Sequence, residues 1–292
     1  MKLRITSGIF AISAVISAAA HADATLNTST TTTVPSFYER VSEKVMLNYF
    51  GTYRGSSLSH LGDSLTPDAK GIPDKDTPQH IESVVTAGFR VNKDLMVGIM
   101  AHFYNYPGAA KPSSNSAGFQ MYDPAIAVFQ SNLINNGPFK LNGRLITYIP
   151  LTSVDILQRE HQAVAISPTF IATYDVPRTP LTIGIWSYLR AYIPTADAVA
   201  NARTYKIYIA PNLNYQLTRT LAATLWVDLV QAARTKGTGF FSGIDNAAVD
   251  IEPGISWDVT KNITINPLIN IYPGSLTLAA TSIQANIIAR AF

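Results

Sequence analysis

Arg54, Arg90, Arg144, Arg190, Lys206, Asp228, Asp250 and Glu252 are the side chains best placed to do chemistry in this chain of 292 residues. Each lies in a segment where apolar residues alternate with polar ones, and each falls on the polar side. Guanidinium, ammonium and carboxylate groups lined up on one face of a sheet can set a field that steers or sorts charged solutes. Glu82, Asp123, Lys140, Asp175, Arg234 and Asp258 continue the same face. The two signs nearly balance, which argues against strong selectivity for either. In a narrow interior, substantial ion pairing among these groups is expected. Tyr188 and Trp226 share the face with Tyr104, Tyr106, Tyr148, Trp186, Tyr192, Tyr208 and Tyr272. Their apolar bodies and polar tips suit space filling, with stacking of sugars or aromatic solutes as the sharper alternative.

Catalytic and metal chemistry find less support. The chain has no Cys, so it offers no thiol nucleophile and no disulfide framework. Past residue 22 its histidines are His60, His80, His102 and His161. His60, His80 and His161 fall near segment ends, and His102 falls on the polar face. None sits in a His-x-Ser pattern, and there is no His-Glu-x-x-His. We therefore expect no catalytic residue, no cofactor and no metal site. Asp74 and Asp76 are spaced like calcium-loop ligands, but no Gly or distal Glu completes such a loop.

The elements that carry these residues read as strands. Val249, Ile251, Pro253, Ile255, Trp257 and Val259 alternate with Asp250, Glu252, Gly254, Ser256 and Asp258. Ile263, Ile265, Ile269 and Ile271 alternate with Thr264, Asn266, Asn270 and Tyr272. Period two of this kind marks a sheet with two unlike faces. Twelve such strands are expected at about 44–57, 80–92, 94–106, 119–133, 138–150, 161–176, 180–193, 203–217, 220–233, 246–259, 262–273 and 280–292. Short turns such as Asn135-Asn136-Gly137 and Thr260-Lys261 alternate with longer connections. A repeat of one hairpin runs through Pro124, Pro168, Pro211 and Pro253, spaced 44, 43 and 42 residues apart. Proline cannot donate to a ladder, so these four are expected at bulges or bends.

The apolar faces of six of these strands carry no Asp, Glu, Lys or Arg. A soluble barrel would put charge there, whereas a lipid-facing surface excludes it. Charged residues make up only 14% of the chain, below the usual quarter, and no clustered basic run suggests nucleic-acid binding. Lys2 and Arg4, the apolar run Gly8 to Ala20, and Ala20-His21-Ala22 fit a signal peptide over 1–22. Residues 23–43 read as a flexible, Thr-rich periplasmic segment with a short helix possible from Ser36 to Glu43. Residues 44–292 form the barrel.

With its signal peptide, amphipathic strands and terminal Phe292, the chain resembles outer-membrane β-barrel proteins of Gram-negative bacteria. The terminal strand departs from their pattern: of Arg290, Ile288 and Asn286, the three positions where apolar residues are usual, only Ile288 is apolar. The resemblance implies an all-β fold: a transmembrane antiparallel β-barrel of about 12 strands, with short periplasmic turns and longer extracellular loops. It implies a monomer in the bacterial outer membrane with periplasmic termini, whose partners are outer-membrane lipid, the outer-membrane assembly machinery and small solutes. The expected function is a porin-like channel passing small solutes through a narrow, charge-lined and aromatic-walled lumen. A closed structural or surface-binding barrel is the alternative, and an outer-membrane hydrolase the third.

Overall fold

The structure is a computed structural model that describes residues 44–59, 61, 65–67, 73–106, 118–152, 156–200, 202–235, 244–246 and 248–291. The expected signal peptide, the short helix near Ser36, His60 and Phe292 lie outside the described residues. In chain order the elements are β1 (Val45–Ser57), β2 (Leu65–Pro67), β3 (Pro73–Pro78), β4 (His80–Arg90), β5 (Leu95–Asn105), β6 (Phe119–Met121), β7 (Ala125–Asn136), β8 (Phe139–Tyr148), a one-turn helix α1 (Ile156–Arg159), β9 (Gln162–Asp175), β10 (Leu181–Pro194), β11 (Arg203–Gln216), β12 (Leu221–Asp228), β13 (Val230–Thr235), β14 (Ile244–Asn246), β15 (Asp250–Thr260), β16 (Ile263–Asn270) and β17 (Ser282–Arg290).

Twelve of these strands close into one antiparallel barrel, in the order β1-β4-β5-β7-β8-β9-β10-β11-β12-β15-β16-β17. Closure comes from β17, which pairs back onto β1 from Asn48↔Arg290 to Ser57↔Ser282. Consecutive barrel strands are neighbours throughout, so the architecture is an up-and-down meander without crossovers. Three short strands extend the wall at one end: β6 pairs with β5, β13 with β11, and β14 with β13. A separate hairpin, β2–β3, occupies the connection between β1 and β4.

The alternating pattern sorts as the sequence implies. Outward residues include Ile99 at 64% exposure, Trp257 at 49% and Ile255 at 41%. Inward residues are polar and buried, among them Thr52, Thr86, Thr169, Asp228, Asp250, Glu252 and Gln284. The molecule is thus inside-out relative to a soluble domain: apolar surface outside, hydrogen-bonding groups inside. Ladder closure leaves the wall without an edge, so backbone groups need no water to pair.

Local chemistry sets the turns. The Asn92 side chain accepts hydrogen bonds from the amides of Asp94 (2.9 Å) and Leu95 (2.8 Å), which fixes the β4–β5 reversal. Gly137 takes φ +57° in the β7–β8 turn, a left-handed conformation that glycine adopts without strain. Gly88 and Gly98 face each other across β4 and β5. A Cβ on Gly88 would lie 2.6 Å from the Gly98 Cα, so the strands meet here because neither residue has a side chain.

The four repeat prolines divide into two kinds. Pro124 lies in the break between β6 and β7, and Pro211 lies where β11 changes partner from β13 to β12, one residue of Leu229 being extra. These two stand at irregularities, as expected. Pro168 and Pro253 stay within strands that keep register, with Leu145↔Pro168 and Leu225↔Pro253 paired on one side. They need no bulge because a residue's N–H serves only one of its two neighbouring strands. The missing donor opens one rung and leaves the other ladder whole.

Candidate functional site in the barrel interior

Register decides which inward side chains meet. Arg190 stands opposite Lys206 and Tyr188 opposite Tyr208 across β10 and β11. Asp228 stands opposite Asp250, and Trp226 opposite Glu252, across β12 and β15. Arg144 projects from β8 beside Thr169 of β9. Basic groups therefore occupy one arc of the inner wall, on β8, β10 and β11. Acidic groups occupy the next arc, on β12 and β15. Arg54 on β1 and Glu82 on β4 stand beyond the acidic arc.

The basic arc is held by aromatic rings. Arg190 Nη2 donates to the Tyr148 hydroxyl at 2.7 Å, and its guanidinium carbon lies 4.1 Å from the Tyr148 ring centre and 5.6 Å from that of Tyr188. Arg144 lies 5.6 Å from the ring centre of Phe129. Rings present a negative face to a cation, so these guanidinium groups are stabilised without a carboxylate.

The acidic arc is held by neutral donors. The Tyr208 hydroxyl donates to Asp228 Oδ1, and Gln231 donates to Asp228 Oδ2 at 2.9 Å. Asn270 Nδ2 donates to Asp250 Oδ2 at 2.8 Å and reaches Glu252 Oε1 at 3.5 Å. Gln284 donates to Glu252 Oε2 at 3.4 Å. Oxygens of Asp228, Asp250 and Glu252 lie within 4.8 Å of one another, and all three residues are buried. Arg54 lies within electrostatic reach of Glu252, Glu82 and Asp250.

These contacts correct the expectation of substantial pairing. Among the described residues, Arg54, Arg144, Arg190 and Lys206 make no ion pair within 4 Å. A close contact between a histidine and a carboxylate inside the wall joins His102 Nε2 to Glu82 Oε1 at 2.9 Å. The cause is geometric: Arg144 and Arg190 on the basic arc meet aromatic rings, and the carboxylates of the acidic arc meet a phenol and amides.

Several predicted residues stand apart from this cluster. Arg90 ends β4 beside the short turn and is exposed. Lys140 and Asp175 pair at 3.1 Å at the same end of the wall, and both are exposed. Asp123 is buried and accepts the amides of Leu151 (2.8 Å) and Thr152 (2.9 Å), which ties down the start of the β8–β9 connection. Asn270, Gln284 and Gln231 were missed. Amides carry no charge, and only the register reveals that Asn270 reaches across to Asp250.

Aromatic side chains pack largely on one another. Tyr104 lies 4.6 Å from Tyr122 and 5.1 Å from His80 between ring centres, and Tyr188 stacks on Tyr208 at 5.1 Å. Trp186 meets Trp226 edge-on at 6.3 Å. His80 is buried in this cluster, although it begins β4 at the end of the wall that bears the long connections. On the long-connection side, His161 takes φ +54° and its Nδ1 lies 2.7 Å from Asp197 Oδ2. The Thr195 hydroxyl bonds Asp197 Oδ1 at 2.5 Å. Thr195, then His161, hold the Asp197 carboxyl down to about 2.

No protein-family model matches the chain, and no curated protein matches it by sequence. Solved structures do. An outer membrane channel from Pseudomonas putida F1 superposes with a TM-score of 0.53 at 6% identity, covering 88% of this chain and 99% of that one. The NanC porin gives 0.45 at 10% identity over 83% and 98%, and the Salmonella typhi OmpF gives 0.38 at 10% over 84% and 96%. This chain is a closed twelve-stranded antiparallel barrel, and the first likeness shows that its fold is similar to that of an outer membrane channel.

Proposed function

We propose that the protein is an outer-membrane channel that passes small solutes by diffusion along its lumen. The observation that carries this reading is the inverted barrel: an apolar outer surface around an inner wall that bears separated basic and acidic arcs. A polar, charge-bearing inner wall suits a lumen for polar solutes, while the outside suits lipid. The fold likeness to an outer membrane channel supports the same conclusion. The signal-peptide pattern supports export, with the short turns and termini on the periplasmic side.

In this mechanism the arcs set a transverse field across the lumen. A polar solute entering it would orient with its negative end toward Arg144, Arg190 and Lys206 and its positive end toward Asp228, Asp250 and Glu252. Purified protein in liposomes tests the reading through swelling in uncharged solutes of increasing size. Swelling that falls off with solute size is expected. Liposomes holding folded barrel that swell no faster than empty ones would overturn it.

A further inference from the structure

The acidic arc is electrostatically incomplete. Three carboxylates are gathered within 4.8 Å, and each of the three residues is more than nine-tenths buried. The donors that reach them are a phenol and three amides, all neutral. Like charges this close and this buried repel strongly unless a cation or a proton joins them. Arg54 contributes field but makes no ion pair within 4 Å among the described residues.

A second, separate observation points to a ligand. Asn270 is 1% exposed; its Nδ2 donates into the cluster, while its Oδ1 is buried with no hydrogen-bond partner among the described residues. Asp250 Oδ1 is likewise buried and unpartnered. An amide whose nitrogen serves two carboxylates can rotate to turn its oxygen toward them instead. That rotation exchanges a hydrogen-bond donor for a cation ligand.

We propose that Asp228, Asp250 and Glu252 form a binding site for a divalent cation of calcium's size, with the Asn270 amide oxygen as a fourth ligand. The chemistry selects this class. All donors are hard oxygens, with no nitrogen or sulfur to favour a transition metal. All three donor atoms lie within 4.8 Å of one another, close enough for one calcium ion with bonds of about 2.3–2.6 Å to reach them together. Calcium also accepts an irregular shell built from three strands, β12, β15 and β16, and completed by water, which octahedral magnesium tolerates poorly. Bound at this point of the wall, the ion would neutralise the acidic arc while leaving the basic arc intact.

Terbium luminescence tests the site directly, because Tyr208 donates to Asp228 and Trp226 stands opposite Glu252, so both rings can sensitise a bound ion. The folded barrel in detergent, excited through its aromatic residues, should give saturable terbium emission that calcium displaces. Asp250→Asn and Glu252→Gln should each weaken terbium binding at least tenfold. Asp175→Asn, on the exposed Lys140 pair, should leave it unchanged. Heat-modifiable mobility confirms that each variant is folded, and either acidic variant suffices if the other fails to fold. Absence of sensitised emission from the folded wild type would overturn the site. Emission that survives whichever of Asp250→Asn and Glu252→Gln folds would overturn it equally. Binding is read without any conductance, so its failure is distinguishable from failure of the channel reading.

Discussion

Ile255→Lys is the substitution that separates a lipid-facing wall from every alternative. Ile255 is the sixth of eleven residues in β15 and points outward, with 41% of its surface exposed. Its ladder neighbour on β12 is Ala223, too small to shelter a charge. A lysine at the middle of a membrane-spanning strand costs roughly 2–4 kcal/mol, falling toward zero near the interfaces. That corresponds to roughly a 30- to 1,000-fold loss in the folding equilibrium constant, at about 1.4 kcal/mol for each factor of ten. Ser256→Lys, one residue further on, puts the same ammonium on the inner face, where Asp258 and other polar groups can solvate it. Its effect should stay under about 1 kcal/mol, the scale of surface substitutions. Reversible unfolding in urea from lipid vesicles measures both, with the unheated gel mobility of the folded barrel as the reporter. Equal losses, or a larger loss for Ser256→Lys, would refute the assignment of faces and with it the membrane reading.

Three further outcomes follow from named contacts. Gly88→Ala should destabilise the barrel by about 1–3 kcal/mol, the usual cost of overpacking, because the new Cβ would press on the Gly98 backbone; the same urea titration reads it, and an unchanged midpoint would contradict the close approach. Arg190→Ala removes a positive charge held over Tyr148, so reversal potentials across a salt gradient should shift toward cations, more at low salt than at high; no shift would remove Arg190 from the conduction path. Asp197 is held at about 2, below its ordinary 3.8, so its contribution to the folded loop is complete above the unfolded value and is lost as pH falls through about 2. Carboxyl NMR shifts of Asp197 should titrate near that value, and a midpoint near 4 would show that the Thr195 and His161 contacts are not formed.

Much of the fold was legible because period two is a direct record of an unlike-sided sheet. The strands expected at 180–193, 203–217 and 262–273 differ from β10, β11 and β16 by at most three residues at either end. Inward Asp250 and Glu252 and outward Ile255 and Trp257 followed from parity alone. The site itself was legible as a face but not as a set of contacts. A tight turn such as Asn136-Gly137 fixes register by counting, whereas β12 and β15 are joined through β13, β14 and a long connection, so nothing in the sequence puts Asp228 opposite Asp250. Arg90 shows the converse limit. Its parity is right, but its height at the end of β4 leaves it at the exposed rim. The prolines were read too uniformly, because whether one disturbs a sheet depends on which neighbour its missing N–H would have served.

The central claim is that the lumen conducts, and recording current through the folded barrel in planar lipid bilayers tests it most directly. Unitary steps that scale with salt concentration, and whose reversal potential moves when Arg144 and Arg190 are both replaced by Ala, are the predicted result. Correctly inserted barrels that give a flat current trace would contradict it, and would make the aromatic and charged interior a plug.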